Sequence, residues 1–305
     1  MNVRLKSIDT AFQAILEAQP PRAGSLIVTV FGNSISQHGN SVWLGSLIVA
    51  LEPFGLNARQ IRTAVFRLVK DGWLSRVRIG RRSFYSFTEF GQRQYEKSAR
   101  RIYKARPITW DGQWTLVLPV FADADQRDRL KRQLSWLGFG SIANGVLAHP
   151  CADVGSLAET LRELGLDELV VTLCATTAPA VSRDVLKRVM QQSWRLDELE
   201  TRYQNFVASF IPVLNVLEKT RRYEAAQMFQ LQTIVVHEYR RILLKTADLP
   251  DELLPEIWSG RAAMDLTARL YRLLHEPAAA YLEAHFEGPD GLLAKAGDAY
   301  FRRFI

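Results

Sequence analysis

The stretch that most constrains the fold of this chain is residues 57–91, where one helical pattern is followed by two strand patterns. Ile61, Val65 and Leu68 recur at spacings of four and three residues, and Ala64 lies beside them, so these side chains share one face of a helix. That face is predicted to be buried. The opposite face is mainly basic and carries Arg59, Arg62, Thr63, Phe66, Arg67 and Lys70.

The second half of this stretch predicts a basic β-hairpin. Residues 73–79 and 83–87 are rich in aromatic and β-branched side chains, and they flank a turn that contains Gly80. We expect Asn57 to cap the preceding helix and Thr88 to cap the helix that follows. A helix, a basic hairpin and a second helix, in this order, are typical of a winged helix-turn-helix domain.

Positive charge is concentrated in the same part of the chain. Residues 57–106 hold 14 Lys/Arg against 3 Asp/Glu, whereas residues 107–305 hold 22 against 26 and residues 1–56 hold 3 of each. A nearly neutral protein with one basic segment suggests a module that binds a polyanion. An arginine-bearing helix fits the major groove of double-stranded DNA, and the wing reaches the neighbouring backbone. The predicted DNA contacts are Arg59, Gln60, Arg62, Thr63, Arg67, Arg78, Arg81 and Arg82.

We predict a multidomain α+β fold with three domains. Residues 1–106 form a winged helix-turn-helix domain with a lead helix and a linker helix, in which residues 25–31 are helical despite their β-branched content. Residues 107–178 show the order β-α-β-α-β, which suggests a small ferredoxin-like α+β domain. Residues 179–305 are almost entirely helical and are expected to form a bundle for effector binding and dimerisation.

Cysteine usage and hydropathy indicate a cytoplasmic protein. Cys151 and Cys174 lack metal-ligand spacing, which suits a reducing compartment. We see no signal peptide, and the apolar runs are shorter than the roughly 20 residues that a membrane span requires. No membrane partner is therefore expected.

Motifs of known enzymes are missing from the sequence. It has no nucleotide-binding glycine loop, no His-Glu-x-x-His pair and no Gly-x-Ser-x-Gly elbow. We therefore expect no enzymatic activity, no metal and no cofactor. One alternative stays open, a metal-dependent nuclease with Asp111, Asp123 and Asp125 as its carboxylates, because ferredoxin-like domains occur beside basic modules in nucleic-acid enzymes.

A possible effector site lies in the helical third of the chain. His237, Arg240 and Arg241 lie within about one helical turn, and such a group can bind an anionic ligand. An aromatic ring such as Trp258 would suit a phosphate-bearing aromatic effector. The alternative for His237 is a purely structural role on the helix surface or in the core.

Residues 25–96 resemble the N-terminal domain of the PaaX family, transcriptional repressors of phenylacetic acid degradation. The resemblance continues through WDGQWTLVLPVF, WRLDELETRYQNFVASFIPVL and HEYRRILLKTADLPDELLPEIWSG, and so spans nearly the whole chain. It implies a homodimer that binds operator DNA of phenylacetate catabolic genes and is released by the effector phenylacetyl-CoA. The family's recognition-helix pattern falls on Arg59, Arg62, Thr63 and Arg67, and its wing on Gly80, Arg81 and Arg82. A regulator of the same architecture that answers another acyl-CoA or an aromatic acid remains an alternative.

Overall fold

The computed structural model describes residues 3–103, 109–177, 183–219, 223–244 and 249–304. It is a mixed α+β structure in which helices predominate and the sheets are small. The chain forms two compact units, each assembled from separate segments. The first unit comprises Met1–Ala105, Asn205–Arg240 and Arg261–Ile305, and the second comprises Arg106–Gln204 and Arg241–Gly260.

The helices of the described residues run as follows: α1 (Val3–Ala18), α2 (Ala23–Asn33), α3 (Leu44–Leu51), α4 (Ala58–Lys70), α5 (Glu89–Ile102), α6 (Ala124–Trp136), α7 (Val154–Leu164), α8 (Arg183–Ser193), α9 (Leu196–Glu218), α10 (Ala225–Leu243), α11 (Ser259–His285) and α12 (Asp298–Phe301). Within the described ranges, no helix is both long and apolar enough to cross a bilayer. The strands are β1 (Val42–Trp43), β2 (Leu74–Ile79), β3 (Arg82–Phe87), β4 (Gln113–Leu118), β5 (Gly140–Ala143), β6 (Val146–His149), β7 (Val171–Thr176), β8 (Glu287–Gly288) and β9 (Gly291–Leu292).

The amino-terminal part of the first unit combines α2, α3 and α4 with a small antiparallel sheet in the order β1-β3-β2. The predicted hairpin is confirmed, with Leu74 opposite Phe87 and Ile79 opposite Arg82. Residues 25–31 are helical, as expected. Leu26, Ile27 and Val30 are fully buried there, because a helix that is apolar on all sides belongs in a core and burial outweighs β propensity.

The second unit contains an antiparallel sheet of four strands in the order β5-β6-β4-β7. Val117 from β4 packs with Leu130 and Leu134 from α6 and with Leu157 from α7. The order of elements is β-α-β-β-α-β, so the predicted order omitted strand β5. That strand has four residues, most of them small, and its register shifts between Ser141 and Ala143. It therefore has no alternating apolar pattern from which it could be predicted.

Candidate nucleic-acid interface and effector region

Helix α4 is amphipathic, and its start is fixed by a capping box. Asn57 Oδ1 accepts a hydrogen bond from the amide of Gln60 at 2.9 Å, and Gln60 Oε1 accepts one from the amide of Asn57 at 2.9 Å. The predicted cap at Asn57 is thus confirmed. Gln60, a predicted DNA contact, uses its carbonyl oxygen in the cap and keeps its NH₂ group as a hydrogen-bond donor. Ile61, Ala64 and Val65 are buried and set the orientation of the helix.

The outer face of α4 carries free positive charge. Arg59, Arg62, Thr63, Arg67 and Lys70 are all exposed. The Thr63 hydroxyl donates to the carbonyl of Arg59 at 2.9 Å, which leaves its oxygen able to accept. Across the described ranges, none of the four cations on this face forms an ion pair. An exposed cationic face without internal counter-charges can neutralise phosphates or donate to base edges.

The hairpin adds further exposed cations beside a tight turn. Gly80 has φ of 59°, a left-handed conformation that favours glycine at the first position of a two-residue turn. Arg78 Nε donates to the Gly80 carbonyl at 3.1 Å and stays exposed. Arg81 is exposed as well. The turn therefore presents two of the predicted wing arginines to solvent.

Arg82 differs from the other predicted wing residues because its charge is paired within the chain. Its guanidinium forms an ion pair with Glu287 of β8 and lies 4.5 Å from the centre of the Trp43 ring. These contacts tie β3 to β1 and β8. Sequence reasoning missed them, since Glu287 lies about 200 residues away from Arg82 in the chain.

Helix α5 is held tightly against the end of the α4–β2 connection. Thr88 Oγ1 accepts from the amide of Gly91 at 3.0 Å, which confirms the predicted cap. A Cβ atom at Gly91 would lie 2.3 Å from the carbonyl oxygen of Trp73, so only glycine fits there. The hairpin and α5 are consequently fixed to each other.

The structure brings together two of the four predicted effector residues. His237 and Arg240 of α10 both contact Thr29 of α2. The distance from His237 Nδ1 to Thr29 Oγ1 is 3.0 Å, and Arg240 Nη1 donates to Thr29 Oγ1 at 3.3 Å and to the Ser25 carbonyl at 3.5 Å. His237 is fully buried, and removal from water lowers the pKa of Arg240. Arg241 and Trp258 belong to the second unit.

Trp258 lies against another aromatic residue of the second unit. Its ring meets Tyr203 edge to face, with ring centres 5.6 Å apart. The hydroxyl and amide of neighbouring Ser259 donate to the Glu200 carboxylate at 2.6 and 2.9 Å. These contacts anchor the start of α11.

The second unit also holds a cavity of about 830 Å³ that the sequence did not reveal. Its walls include the apolar side chains of Trp110, Met190, Leu196 and Leu253, and Lys187 contributes an ammonium group. None of the four predicted effector residues lines it. Its size and apolar character fall within the range of small-molecule pockets. In the sequence, the apolar residues around Leu253 between two prolines mark one wall of this cavity, but they do not by themselves predict a cavity.

A network of polar side chains joins Asn33 of α2 to Arg303 near the carboxyl end of the first unit. Arg303 donates to the carbonyl of Asn33 at 2.6 Å and to the Tyr271 hydroxyl at 3.2 Å, and its guanidinium lies 4.1 Å from the centre of the Tyr103 ring. The Tyr103 hydroxyl donates to Asn33 Oδ1 at 2.8 Å. Arg303 and its hydrogen bonds therefore connect α2, α11 and Tyr103, the residue that caps the end of α5.

Two of the three carboxylates considered for a nuclease, Asp111 and Asp123, have local structural roles, and the third, Asp125, is exposed in the first turn of α6. Asp123 caps α6 by accepting from the amide of Gln126 at 2.8 Å, and Asp111 accepts from the amide of Gln113 at 2.9 Å. Within the part of the chain that the structure describes, no cluster of three or more His, Cys, Asp or Glu residues could hold a metal ion.

Comparison with known proteins places the whole chain in one family. Family models match in three consecutive stretches: "PaaX-like protein" over residues 22–91, "PaaX protein central Cas2-like domain" over residues 107–186, and "PaaX-like protein C-terminal domain" over residues 194–284. The "Transcriptional repressor PaaX" of Escherichia coli (strain K12) is 36% identical over 301 residues, which are 98% of this chain and 95% of that protein.

A solved structure, "Uncharacterized protein Rv0674 from Mycobacterium tuberculosis", matches with a TM-score of 0.52 and 21% identity, covering 84% of this chain and 98% of that one. At that identity the likeness concerns the fold alone. The three family models and the extended identity to the Escherichia coli protein together show that the chain belongs to the PaaX family.

Proposed function

We propose that this protein is a DNA-binding transcriptional repressor of phenylacetate catabolism genes. The observation that carries the proposal is the exposed face of α4, whose arginines have no ion-pair partner among the described residues, in a chain similar to a protein named as a transcriptional repressor. Residues 1–106 act as a winged helix-turn-helix domain with α4 as its recognition helix. Residues 107–178 form a ferredoxin-like domain, and residues 179–305 form the effector and dimerisation domain.

Within this proposal, different residues of α4 contact different groups of the DNA. Arg59, Arg62 and Arg67 can donate two parallel hydrogen bonds to guanine, while Thr63 and the NH₂ group of Gln60 serve phosphates or base edges. Arg78 and Arg81 of the hairpin contact the neighbouring backbone. Arg82 supports the wing through its ion pair with Glu287, and so contributes less charge to the DNA.

The test of DNA recognition is selection of bound sequences from a random pool, followed by competition with unrelated DNA. A repressor of this kind should prefer its selected site over unrelated DNA by at least about a thousandfold at physiological salt. Equal competition by unrelated DNA would contradict the proposal.

The protein is further proposed to act as a homodimer. Two basic heads would read two half-sites whose centres are about 10 base pairs, or a multiple of that spacing, apart. Light scattering at micromolar concentration should give twice the monomer mass of 34.7 kDa. A selected site without a repeated half-site, together with a monomer mass, would contradict this part of the proposal.

Phenylacetyl-CoA is proposed to release the protein from its operator by favouring a conformation whose heads no longer fit the site. The shift can be no larger than the differential affinity of the effector for the two conformations. Two regions are candidates for the effector: the cluster of His237 and Arg240 in the first unit, and the cavity around Met190 in the second unit. The other two predicted effector residues, Arg241 and Trp258, belong to the second unit and do not line this cavity. Titration of phenylacetyl-CoA into a gel-shift assay at fixed salt should release the DNA.

Two substitutions separate these candidates. Met190→Trp places a larger side chain in the wall of the cavity and narrows it, whereas Arg240→Met removes the guanidinium from the cluster on α10. If the cavity binds the acyl group, only Met190→Trp should abolish release while operator binding persists.

Release by another acyl-CoA or by free aromatic acids, with no response to phenylacetyl-CoA, would favour the alternative effector class.

A further inference from the structure

Phe66 is an exposed aromatic residue in the centre of a basic helix face. Its relative accessibility is 69%, although it lies on a helix whose apolar side is otherwise buried. A helix advances about 100° per residue, which places Phe66 in the arc between Arg62, Thr63 and Lys70. The phenyl ring thus lies on the same helix face as Arg59 and Arg62, which we assign to DNA.

The core of the protein does not explain this position. Ile61 and Val65 supply the buried face of α4, and Phe66 points away from both. Among the described residues, no aromatic ring contacts Phe66, whereas many other aromatic side chains in the first unit do form ring contacts, for example Phe31 with Phe87. A phenyl ring that stays in water adds no hydrophobic stabilisation to the fold. Phe66 can supply such stabilisation only to a complex in which a partner covers its ring.

The chemistry of the major groove supplies an apolar partner for this ring. The four base pairs present donors and acceptors there, and thymine alone among the standard bases adds a methyl group, at C5. A phenyl ring on the groove-facing side of the helix can cover that methyl group and exclude water from it.

We infer that Phe66 reads thymine in each half-site through the C5 methyl group. This inference rests on the proposed placement of α4 in the major groove. It makes Phe66 a residue that determines sequence specificity, while the flanking arginines supply most of the attraction to DNA.

The test uses uracil, which pairs as thymine does but lacks the methyl group. Each thymine of a selected operator is replaced in turn, symmetrically in both half-sites, and affinity is measured by fluorescence anisotropy. Wild-type protein should lose about fourfold affinity per methyl group at one position and little elsewhere. Phe66→Ala should bind the thymine operator more weakly and show no loss at that uracil position.

Three further variants make the result specific. Phe66→Leu keeps an apolar contact and should retain part of the thymine preference. Arg62→Ala should weaken binding to both operators while preserving their ratio. Phe121→Ala removes a phenyl ring that is 75% exposed in the second unit and should change neither value. Circular dichroism should show that every variant is folded.

Each outcome decides the inference. If no uracil substitution weakens wild-type binding, or if Phe66→Ala remains as sensitive as wild type, the inference is wrong while the proposed function stands. If wild-type protein selects no DNA sequence at all, the inference and the proposed function both fail. Loss of the uracil effect in Phe66→Ala, with the effect preserved in Phe121→Ala, supports it.

Discussion

Arginine serves two opposite purposes in the first unit of this protein. On α4, Arg59, Arg62 and Arg67 are exposed and have no ion-pair partner among the described residues. In the network at the chain end, Arg303 is partly buried, donates to backbone carbonyls and a tyrosine hydroxyl, and lies over an aromatic ring. A basic residue in the sequence therefore indicates a binding surface only if its side chain forms no bonds within the fold. The arginines of α4 meet this condition among the described residues, and Arg303 does not.

The two sets should therefore respond to mutation in separable ways. Replacing an exposed arginine removes no internal hydrogen bond, so stability should change by less than about 0.5 kcal/mol. Replacing Arg303 removes the hydrogen bonds that it donates to two backbone carbonyls and to a tyrosine hydroxyl, so the free energy of unfolding should fall. The affinity for DNA should change only because less protein is folded.

The largest expected effect comes from the exposed set. The double substitution Arg62→Ala with Arg67→Ala should weaken operator binding by about 4 kcal/mol, or roughly a thousandfold, because each bidentate contact contributes about 1–3 kcal/mol. Fluorescence anisotropy measures the loss. The pair Arg127→Ala with Arg132→Ala, exposed on α6 at the same spacing, is the control and should leave affinity unchanged. Similar losses in both pairs would mean that α4 has no special role.

Arg303→Met should reduce the free energy of unfolding by about 3 kcal/mol, since the variant removes the Arg303 donor from the carbonyl of Asn33 and leaves the carbonyl of Gly32 with the Ser36 hydroxyl as its remaining side-chain donor. Urea unfolding measures this change. Arg302→Met is the matched control, because neighbouring Arg302 is exposed and, among the described residues, its one ion pair is with Asp298 at 3.9 Å. Equal stability of the two variants would show that the network contributes nothing.

The same network predicts a loss of stability in alkali. Burial raises the pKa of Tyr271 from 10.0 to about 12. Because the folded state holds the phenol proton more tightly than the unfolded chain does, this contribution is complete below pH 10 and is lost as the pH rises through 12. We expect a loss of about 2 kcal/mol between pH 9 and 12. Tyr271→Phe should make the curve less steep by this amount, while Tyr103 and Tyr300, whose pKa values are also raised by burial, still contribute to it. An unchanged slope would contradict the assignment.

The smallest expected effect separates two neighbouring wing residues. Arg81→Ala should weaken DNA binding by about fivefold through loss of a phosphate contact, whereas Arg82→Ala should weaken it by about twofold, because Glu287 already neutralises Arg82. Anisotropy at one salt concentration measures both. A larger effect of Arg82→Ala would show that its ion pair opens on DNA.

Local patterns were sufficient to predict the candidate DNA interface. The period of Ile61 and Val65, the cap at Asn57 and the turn at Gly80 are each set within a few residues, and each agrees with the structure. Strand β5 escaped prediction because it is short and lacks an alternating pattern.

Contacts between distant parts of the chain could not be predicted in the same way. Arg82 meets Glu287, Arg240 meets Thr29, and Arg303 meets Asn33, with more than 200 residues between the partners. No period or spacing in a single sequence encodes such pairs. For this reason the basic face of α4 was visible in the sequence, whereas the pairing of Arg82 and the inward position of Arg240 were not.

The salt dependence of operator binding tests the central claim most directly. For wild-type protein and for Arg62→Ala with Arg67→Ala, the logarithm of the binding constant is plotted against the logarithm of salt concentration. Although we assign both arginines to guanine, their charges would lie between the phosphates that border the major groove and would displace counterions there. The slope of the double variant should therefore be shallower by up to about 1.8 while its unfolding midpoint stays unchanged. Two parallel lines would contradict the assignment of α4 as the DNA-binding face.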